Sequence, residues 1–377
     1  MNMKVALVHD YLAQDGGAER VLQSFFEIWP DAPIFVLFYD KSRVPYFVKA
    51  DVRESLISRL PFGRKRFQWY LPLMPFATER HDLRDFDVVL SSTSAFAKGV
   101  ITRPDTLHIS YCHTPTRYLW TDTKEYIADL KYNKFIKALL PRLMYKLRIW
   151  DKMSVDRVDQ FIANSDTVRK RIAKYYRRDA DIMYPPVSLQ YFHVSDDIHD
   201  YFVTGGRLVP YKRFDLVVQA FNRLKKPLII FGEGPERARL EALAKENIRF
   251  VGRVSDEEKG RLLRHARAFI HPQVEDFGIT PVETMASGRP VIAYPVGGVT
   301  ETVIPGKTGV FFESQTWESL CDVVLHFDHT AWDAHEIRTH AERYDEKKFK
   351  DTIQTYIEKK YSEFHKRHND ECRLDVR

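Results

Sequence analysis

The sequence predicts an α/β protein with two doubly wound parallel sheets, and three observations lead to that prediction. Short apolar runs typical of buried strands alternate with helical patterns along both halves of the chain. Regular structure stops at Met183-Tyr184-Pro185-Pro186, which opens a linker at about 185–200. The length of 377 residues fits two domains of about 150–200 residues better than one core. We therefore expect a first domain over 1–190, a second over 200–345, and a helix over 346–377 that packs back toward the first domain.

Composition adds an expectation about the compartment. Hydrophobic content of 44% with 29% charged residues is that of an ordinary globular protein. Cys112, Cys321 and Cys372 show no metal-binding spacing and cannot all pair, which favours a reducing cytoplasm. No run of about 18 apolar residues exists, and the segment Met1–His9 is typical of a strand rather than a signal peptide.

The first predicted sheet is built from five short apolar runs. They are Lys4–His9, Ile34–Tyr39, Phe86–Ser91, Leu107–Cys112 and Gln160–Ser165. The first run is followed by Gly16-Gly17 and a helical pattern over 18–29, an arrangement that presents free N–H groups to a phosphate. Two glycines at such a junction also occur in ordinary turns, and the G-x-G-x-x-G dinucleotide fingerprint does not match here.

A histidine follows the fourth of these runs. His113 stands directly after Leu107–Cys112 and before Thr114-Pro115, where a strand ends at a breaker. The carboxyl ends of parallel strands meet at one edge of a sheet, so His113 is expected to point to the same face as Gly16-Gly17. A single histidine is more often structural than catalytic, and both interpretations stay open here.

Positive charge is concentrated in one predicted helix. The chain has 58 basic and 52 acidic residues, a net charge of +6, and the window Lys131–Lys152 carries the same excess, with seven cations against Asp151. The cations are Lys131, Lys134, Lys137, Arg142, Lys146, Arg148 and Lys152. Apolar residues recur there at helical spacing, and Pro141 is expected to break the helix. We expect an anionic membrane surface as partner, helped by Phe62–Trp69; the alternative is an ordinary packed helix with solvated lysines.

The second predicted sheet follows the same alternation. Its strands are Tyr201–Thr204, Pro227–Phe231, Ile248–Val251, Ala268–His271 and Val291–Ala293. Arg207 and Lys212 stand between Gly205-Gly206 and a helix expected over 214–224. Two cations at a glycine turn before a helix suit a diphosphate, although solvated basic loops are also common.

The segment Glu275–Glu283 is expected to connect a strand to a helix in the second half of the chain. It follows the strand Ala268–His271, and Pro281 suits the first turn of a helix that ends at Gly288. One glutamate is therefore expected in a loop and the other in the first helical turn, at the carboxyl end of a strand, where ligands of α/β sheets bind. Carboxylates and backbone N–H groups suit sugar hydroxyls; the alternative is a capped helix with a surface glutamate.

Taken together, these motifs resemble a known family. Gly16-Gly17-Ala18-Glu19, Gly206-Arg207-Leu208 with Lys212, Gly232-Glu233-Gly234-Pro235 and Glu275-x7-Glu283 resemble the retaining glycosyltransferases of family 4, which have the GT-B fold. Within that family, the segment His113–Trp120 is most similar to bacterial mannosyltransferases of O-antigen, lipopolysaccharide and exopolysaccharide assembly. The resemblance implies two Rossmann-like domains facing a cleft, the first binding the acceptor and the second the nucleotide sugar.

The resemblance also implies an activity and a location. It implies a hexosyltransferase that moves mannose from GDP-mannose to an undecaprenyl-linked or oligosaccharide acceptor in surface polysaccharide synthesis. Such an enzyme works in the cytoplasm, peripherally on the inner face of the cytoplasmic membrane.

Roles for individual residues follow from the same resemblance. It implies that Arg207 and Lys212 hold the diphosphate of the donor and stabilise its departure. Glu275 and His113 correspond to groups beside the transferred sugar, and Glu283 to the glutamate that binds the ribose. The remaining implied donor contacts are Gly16, Gly17, Arg253, Val254, Phe277, Gly278 and Ile279.

No cofactor is expected. No Asp-x-Asp motif stands in a metal-like context, and the resemblance implies that Arg207 and Lys212 do the work of a divalent ion. No carboxylate is obviously placed as the nucleophile that retaining glycosidases use, so the resemblance implies a front-face displacement in which the leaving phosphate takes the acceptor proton.

Other functions remain open from the sequence. They are a catalytically silent GT-B binding or assembly partner, a transferase using a UDP-sugar, and a GT-B epimerase or phosphorylase. A nucleic-acid binder is disfavoured, because the basic window carries no recognisable binding motif.

Overall fold

The computed structural model describes residues 3–14, 16–64, 66–121, 123–124, 127 and 134–374. Contacts divide the chain into two compact units, one formed by Met1–Tyr184 with Phe349–Arg377 and the other by Pro185–Lys348. Each unit contains one parallel sheet with intervening helices. The predicted fold class, two doubly wound parallel sheets, is confirmed.

The first unit has a seven-stranded sheet in the order β3-β2-β1-β4-β5-β6-β7. Its strands are β1 Val5–His9, β2 Ile34–Val36, β3 Val52–Glu54, β4 Val88–Thr93, β5 Leu107–Cys112, β6 Gln160–Ala163 and β7 Asp181–Ile182. Its helices are α1 Gly17–Ile28, α2 Met74–Glu79, α3 Arg117–Trp120, α4 Lys134–Ser154 and α5 Asp166–Arg171. A 3-10 segment, Phe67–Leu73, leads into α2.

The second unit has a six-stranded sheet in the order β10-β9-β8-β11-β12-β13. Its strands are β8 Phe202–Gly205, β9 Leu228–Phe231, β10 Ile248–Gly252, β11 Phe269–His271, β12 Val291–Ala293 and β13 Gly309–Phe311. Its helices are α6 Phe214–Leu224, α7 Arg237–Leu243, α8 Asp256–Arg264, α9 Ile279–Ala286, α10 Val299–Thr302, α11 Trp317–His326 and α12 Ala334–Ala341. The last helix, α13 Glu346–Leu374, begins here and continues into the first unit.

Burial on both faces explains why the central strands read as continuous apolar runs. Every residue of β1 is buried, with Val5 and Leu7 in one apolar cluster and Ala6 and Val8 in another. Phe349, Ile353 and Ile357 of α13 belong to the cluster of Val5 and Leu7, so this helix completes the core of the first unit.

The strand orders define where ligands are expected. In the first sheet the chain proceeds outward from β1 to β3 and then returns to β4 on the other side of β1. In the second sheet it proceeds from β8 to β10 and returns to β11 beside β8. Such reversals open a crevice at the carboxyl ends of the strands, where open α/β sheets bind their ligands.

Pro141 does not break its helix, contrary to the expectation from sequence. α4 runs unbroken from Lys134 to Ser154 with Pro141 inside it. Pro141 is exposed, so water can bond the backbone carbonyl that lacks its usual N–H partner. Leu140, Met144 and Leu147 of the same helix are buried, and this packing holds the helix together.

Other differences concern short or terminal elements. The strands β3, β7 and β13 have only two or three residues, too few for a period-two pattern to show. The helix expected over 346–377 is α13, which is described from Glu346 to Leu374. Across the described part of the chain, the apolar length needed to span a bilayer occurs in none of the helices.

Candidate functional site

Two glycine loops shape the carboxyl edge of the second sheet. The first, Gly205-Gly206, ends β8, and the second, around Gly232, follows β9. Gly232 has φ +110°, and a Cβ added to it would lie 1.8 Å from the carbonyl oxygen of Gly206. Only glycine allows this approach, which brings the two loops together beside the start of α6.

Lys212 and Glu275 meet at this edge. Lys212 precedes α6, Glu275 lies in the loop after β11, and β8 and β11 are neighbours in the sheet. The Lys212 ammonium lies 2.7 Å from Oε1 of Glu275, and 14% and 22% of the two side chains remain exposed. The backbone of Glu275 is fixed as well, since its carbonyl accepts the N–H of Gly298 at 2.9 Å.

The pair stays charged at neutral pH. Burial opposes ionisation of Glu275, but the Lys212 ammonium, His271 and a hydrogen bond from Gln273 together outweigh it and lower the pKa of the carboxyl. Burial likewise opposes the charge of Lys212, yet Glu275 raises the pKa of the ammonium above its ordinary value. Arg207 is exposed on the same loop, and its positive charge acts on Lys212 in the opposite sense. Two cations and one carboxylate are thus grouped at the end of β8 and β11.

The loop into α9 supplies backbone donors to the same edge. Gly278 adopts φ +88° immediately before α9, a left-handed conformation that suits glycine. Phe277 is buried, with its ring 5.7 Å from that of Tyr344, so the predicted donor contact at this position is backbone rather than ring. Ile279 starts the helix and leaves its N–H unpaired within it, as first-turn residues do.

Glu283 is held more tightly than the sequence suggested. It lies on α9 with its side chain buried, and Oε1 accepts a 2.7 Å bond from Lys259 of α8. Lys259 also lies 2.9 Å from Asp256. Lys259 could not be singled out from the sequence, because it follows three acids in a pattern that is typical of a solvated helix face. Arg253 and Val254 follow β10 at the edge of the sheet, Arg253 being exposed.

His271 and Gln273 were also not selected. His271 ends β11 fully buried, and neither ring nitrogen has a hydrogen-bond partner among the residues the structure describes. Burial lowers its pKa to about 4, with Lys212 adding to the effect and Glu275 opposing it, so the imidazole is neutral. Gln273 donates a side-chain hydrogen bond to Glu275. The only signal in the sequence was the position of His271 at a strand end before Pro272.

The predicted residues of the first unit lie at the carboxyl edge of its own sheet. Gly16 precedes α1, and its N–H donates to Oε2 of Glu19 at 3.1 Å; Gly17 is exposed at the start of the helix. His113 directly follows β5 and keeps 9% of its surface exposed. Burial, with a contribution from His9, lowers its pKa to about 3, so this imidazole is also neutral.

Three residues connect His113 to the glycine turn. Nε2 of His113 lies 2.8 Å from Oγ of Ser92, which lies 3.1 Å from Nδ1 of His9. Nε2 of His9 is 3.9 Å from Oε1 of Glu19. His9 and Ser92 were not selected from the sequence, because their proximity depends on the order of the strands.

Asp151, the single acid of the basic window, holds the segment after His113. It is buried on α4, where Oδ1 accepts bonds from Lys98 at 2.5 Å and Thr116 at 2.9 Å. Oδ2 accepts the indole N–H of Trp120 at 2.7 Å. Thr116 and Trp120 belong to the segment that continues from His113, so Asp151 ties that segment to α4.

A possible metal-binding group lies elsewhere. Among the described residues, Asp197, His199 and His265 place ligand atoms within 4.8 Å of one another. His265 uses Nδ1 at 2.6 Å from the carbonyl of Asp197 and Nε2 at 3.3 Å from Arg264. These residues precede β8 and β11, at the sheet edge opposite to Lys212 and Glu275.

Two protein families match successive parts of the chain. Residues 15–191 match Glycosyltransferase Family 4, and residues 193–348 match Glycosyl transferases group 1. The D-rhamnosyltransferase WbpZ of Pseudomonas aeruginosa is 30% identical over 194 residues, which cover 47% of this chain and 49% of that relative. The alpha-1,3/1,6-mannosyltransferase ALG2 of Dictyostelium discoideum is 25% identical over 287 residues, 62% of this chain and 64% of that relative.

Solved structures agree on the fold. Anabaena Alr3699/HepE in complex with UDP-glucose matches with a TM-score of 0.70 at 17% identity, covering 95% of this chain and 100% of that one. At that identity the likeness concerns the fold. The chain spans only about half to two thirds of the two curated relatives, 49% and 64% of their lengths.

Proposed function

We propose that this chain, a GT-B protein of the glycosyltransferase group 1 and Family 4 type, is a retaining enzyme that moves a hexose from a nucleotide sugar to an acceptor. The donor is GDP-mannose, and the acceptor is a lipid-linked or oligosaccharide glycan of bacterial surface polysaccharide synthesis. The observation that carries the proposal is the contact of Lys212 with Glu275 beside Arg207, at the chain reversal of the second sheet.

The chemistry of this group suits sugar transfer. A nucleoside diphosphate leaves with negative charge on its phosphate, and fixed cations at that position stabilise the transition state. Arg207 and Lys212 are assigned to that charge. Glu275, held ionised by Lys212, accepts hydrogen bonds from hydroxyls of the transferred sugar, and the free N–H groups at the start of α9 donate to it. His113 is assigned to the same sugar.

The choice of donor rests on similarity. The relative ALG2 is named a mannosyltransferase, and the segment His113–Trp120 resembles mannosyltransferases of O-antigen assembly. The alternative is a UDP-sugar, since the structural neighbour HepE was solved with UDP-glucose.

Thermal-shift measurements with GDP-mannose, UDP-glucose and an ADP-sugar test the donor. A ligand at 100 times its Kd stabilises the folded state by about 2.7 kcal/mol, which raises the Tm of a domain of this size by about 5–10 °C. We expect this shift with GDP-mannose and a smaller one with the others, unchanged in excess EDTA because side-chain cations replace a metal. A larger shift with UDP-glucose would assign the other donor. Binding without release of nucleoside diphosphate in the presence of acceptor would favour the silent partner.

The location proposed for the enzyme is an anionic membrane surface, and it rests on an exposed patch of the first unit. On α4, four apolar side chains are exposed together with the cations Arg142 and Lys146: Leu139, Tyr145, Ile149 and Met153. Apolar side chains combined with cations on one helix face are typical of an interfacial helix. Not every cation contributes, because Arg148 and Lys152 donate to backbone carbonyls of Leu119 and Tyr176. Lys131 and the side chain of Lys134 lie outside the described residues.

Exposed aromatic side chains form a second apolar group on the same unit. Phe62 and Trp69 are 63% and 51% exposed, and the guanidinium of Arg66 lies 5.6 and 4.6 Å from their ring centroids. Phe62 has φ +59°, a strained conformation for a bulky residue, which displays its ring to solvent. The segment that follows packs into the same apolar cluster as Met144 and Leu147 of α4. The aromatic segment is therefore connected to α4 through their shared apolar cluster.

Sedimentation with phosphatidylglycerol vesicles tests the location. Wild-type protein should bind at low salt and dissociate at high salt, because screening weakens each contact. Each surface cation contributes about 1 kcal/mol, so Arg142→Glu with Lys146→Glu should weaken binding at least about tenfold. Lys41→Glu with Lys49→Glu is the matched control, since both lysines are exposed elsewhere on the unit and the change in net charge is equal. Equal loss in both double variants would show only a general charge effect.

A further inference from the structure

A line of buried polar side chains crosses three neighbouring strands of the first unit. His9 ends β1 and pairs in register with Ser92 of β4, and His113 directly follows β5, the next strand of the sheet. Glu19 on α1 stands at one end of the line and His113 at the other. His9, Glu19 and Ser92 are all buried, so water does not exchange freely with their polar atoms.

The carboxylate at one end sets the direction of the hydrogen bonds. An ionised carboxylate only accepts, and Oε1 of Glu19 lies 3.9 Å from Nε2 of His9, beyond hydrogen-bond distance but close enough for its charge to favour a proton on that nitrogen. The relay requires the neutral form of His9, in which the proton is favoured on Nε2 and Nδ1 is left as an acceptor. Ser92 then donates its hydroxyl proton to Nδ1 of His9.

The same reasoning continues to His113. Because the hydroxyl proton of Ser92 is used toward His9, Oγ can only accept from Nε2 of His113, at 2.8 Å. The proton of neutral His113 then lies on Nε2. Its Nδ1 has no recorded partner among the described residues and carries a lone pair.

We propose that Glu19, His9 and Ser92 are positioning residues that fix the tautomer of His113, with the proton on Nε2 and Nδ1 presented as an acceptor to a hydroxyl of the sugar substrate. The identity of that hydroxyl rests on the proposed function. The tautomer does not.

Neighbouring groups do not compete for these hydrogen bonds. The Asp10 carboxylate, next in sequence to His9, accepts four backbone N–H groups from residues 94–97 at 2.7–2.9 Å. Tyr111, whose ring lies 5.2 Å from that of His113, donates its hydroxyl to the carbonyl of Met183 at 2.8 Å. Neither Asp10 nor Tyr111 therefore takes part in the hydrogen bonds of the relay.

The tautomer can be measured without substrate. In protein labelled with 15N-histidine, two-bond 1H–15N correlation spectra distinguish protonated from unprotonated ring nitrogens, and loss of one signal set in His113→Gln identifies His113. We expect the proton on Nε2 in wild-type protein. A proton on Nδ1 would overturn the proposal.

Glu19→Gln should reverse the relay. The Gln oxygen can keep the bond to the N–H of Gly16, which places the amide NH2 group toward Nε2 of His9. The nearby amide hydrogens then favour a lone pair on Nε2 of His9, both hydrogen bonds of Ser92 invert, and His113 carries its proton on Nδ1. Glu27→Gln is the matched control, since Glu27 lies on the same helix and bonds Tyr46 and Lys350 instead. An unchanged His113 in a folded Glu19→Gln variant would contradict the relay.

Ser92→Ala distinguishes an effect of Glu19 that passes through the Ser92 hydroxyl from a direct structural effect of Glu19. With the central hydroxyl removed, adding Glu19→Gln should leave the His113 spectrum unchanged, whereas a purely structural effect of Glu19 would persist. Glu19→Gln should also lower the transfer rate by about five- to twentyfold, the usual cost of one hydrogen bond of the wrong polarity. The expected spectrum without any sugar transfer would support the relay and refute the proposed function, so the two failures can be told apart.

Discussion

Lys212→Ala is expected to lower the turnover of nucleotide sugar by about a hundredfold. The substitution removes a fixed cation assigned to the leaving diphosphate, and a single preorganised group of this kind is worth about 3 kcal/mol in the transition state. It also leaves Glu275 without its counter-ion. Because both side chains are partly exposed, the loss of stability should be moderate, about 1–2 kcal/mol or a few degrees of Tm. Steady-state kinetics and thermal melts measure the two effects.

A double variant separates catalysis from charge balance in this pair. Lys212→Met with Glu275→Gln leaves no uncompensated charge, so its Tm should return toward that of the wild type while turnover stays low. Arg213→Gln is the matched control, because Arg213 is the neighbouring cation and pairs with Asp215 at 3.2 Å. Turnover within about twofold of wild type in Lys212→Ala, or an equal loss in Arg213→Gln, would refute the role of Lys212.

Lys98→Met is expected to cause the largest loss of stability. Lys98 and Asp151 are each 1% exposed, and removing one partner of a buried pair costs about 3–5 kcal/mol because the other charge remains uncompensated. That loss corresponds to a Tm lower by about 6–20 °C for a domain of this size. Because Asp151 also holds Thr116 and Trp120, we expect loosening of the segment after His113, seen as faster hydrogen exchange of its amides.

A surface pair of the same type provides the control. Lys170 lies 2.8 Å from Asp166, but 74% of its side chain is exposed, so Lys170→Met should change stability by less than about 0.5 kcal/mol. Adding Asp151→Asn to Lys98→Met should recover part of the loss, since the buried charge is then removed. A Tm of Lys98→Met equal to that of Lys170→Met would show that the buried pair is not required.

The positions of the candidate residues could be predicted because parallel sheets order them. Gly16, His113, Arg207 and Glu275 each stand just after an apolar run, and the carboxyl ends of parallel strands meet at one edge. The runs themselves were visible because these strands are buried on both faces. Each candidate residue therefore follows its own strand in the sequence, and its position could be predicted from the local pattern alone.

The partners of those residues could not be predicted, because they depend on contacts between distant segments. Lys259 binds Glu283 from another helix. His9 and Ser92 are 83 residues apart in the sequence and come together only because β1 and β4 pair. The structural role of Asp151 could not be predicted from the net charge of its window either. It counted as one negative charge in a basic window, whereas its burial makes it the point where Lys98, Thr116 and Trp120 converge.

The return of α13 to the first core has a consequence for biosynthesis. Phe349 stacks on Phe25 and packs edge-on against Tyr111, with ring centroids 6.0 Å apart in both cases, yet it follows Tyr184, the last residue of the unit's first segment, by 165 positions. At a translation rate of about 5–20 residues per second, the ribosome needs about 8–33 s to reach it. During that interval Phe25 and Tyr111 lack their closing partner, while the second unit, Pro185–Lys348, is contiguous and can fold as it emerges. The first unit is therefore completed after the second, although most of it is synthesised first, and its apolar core stays incomplete on the nascent chain during that interval.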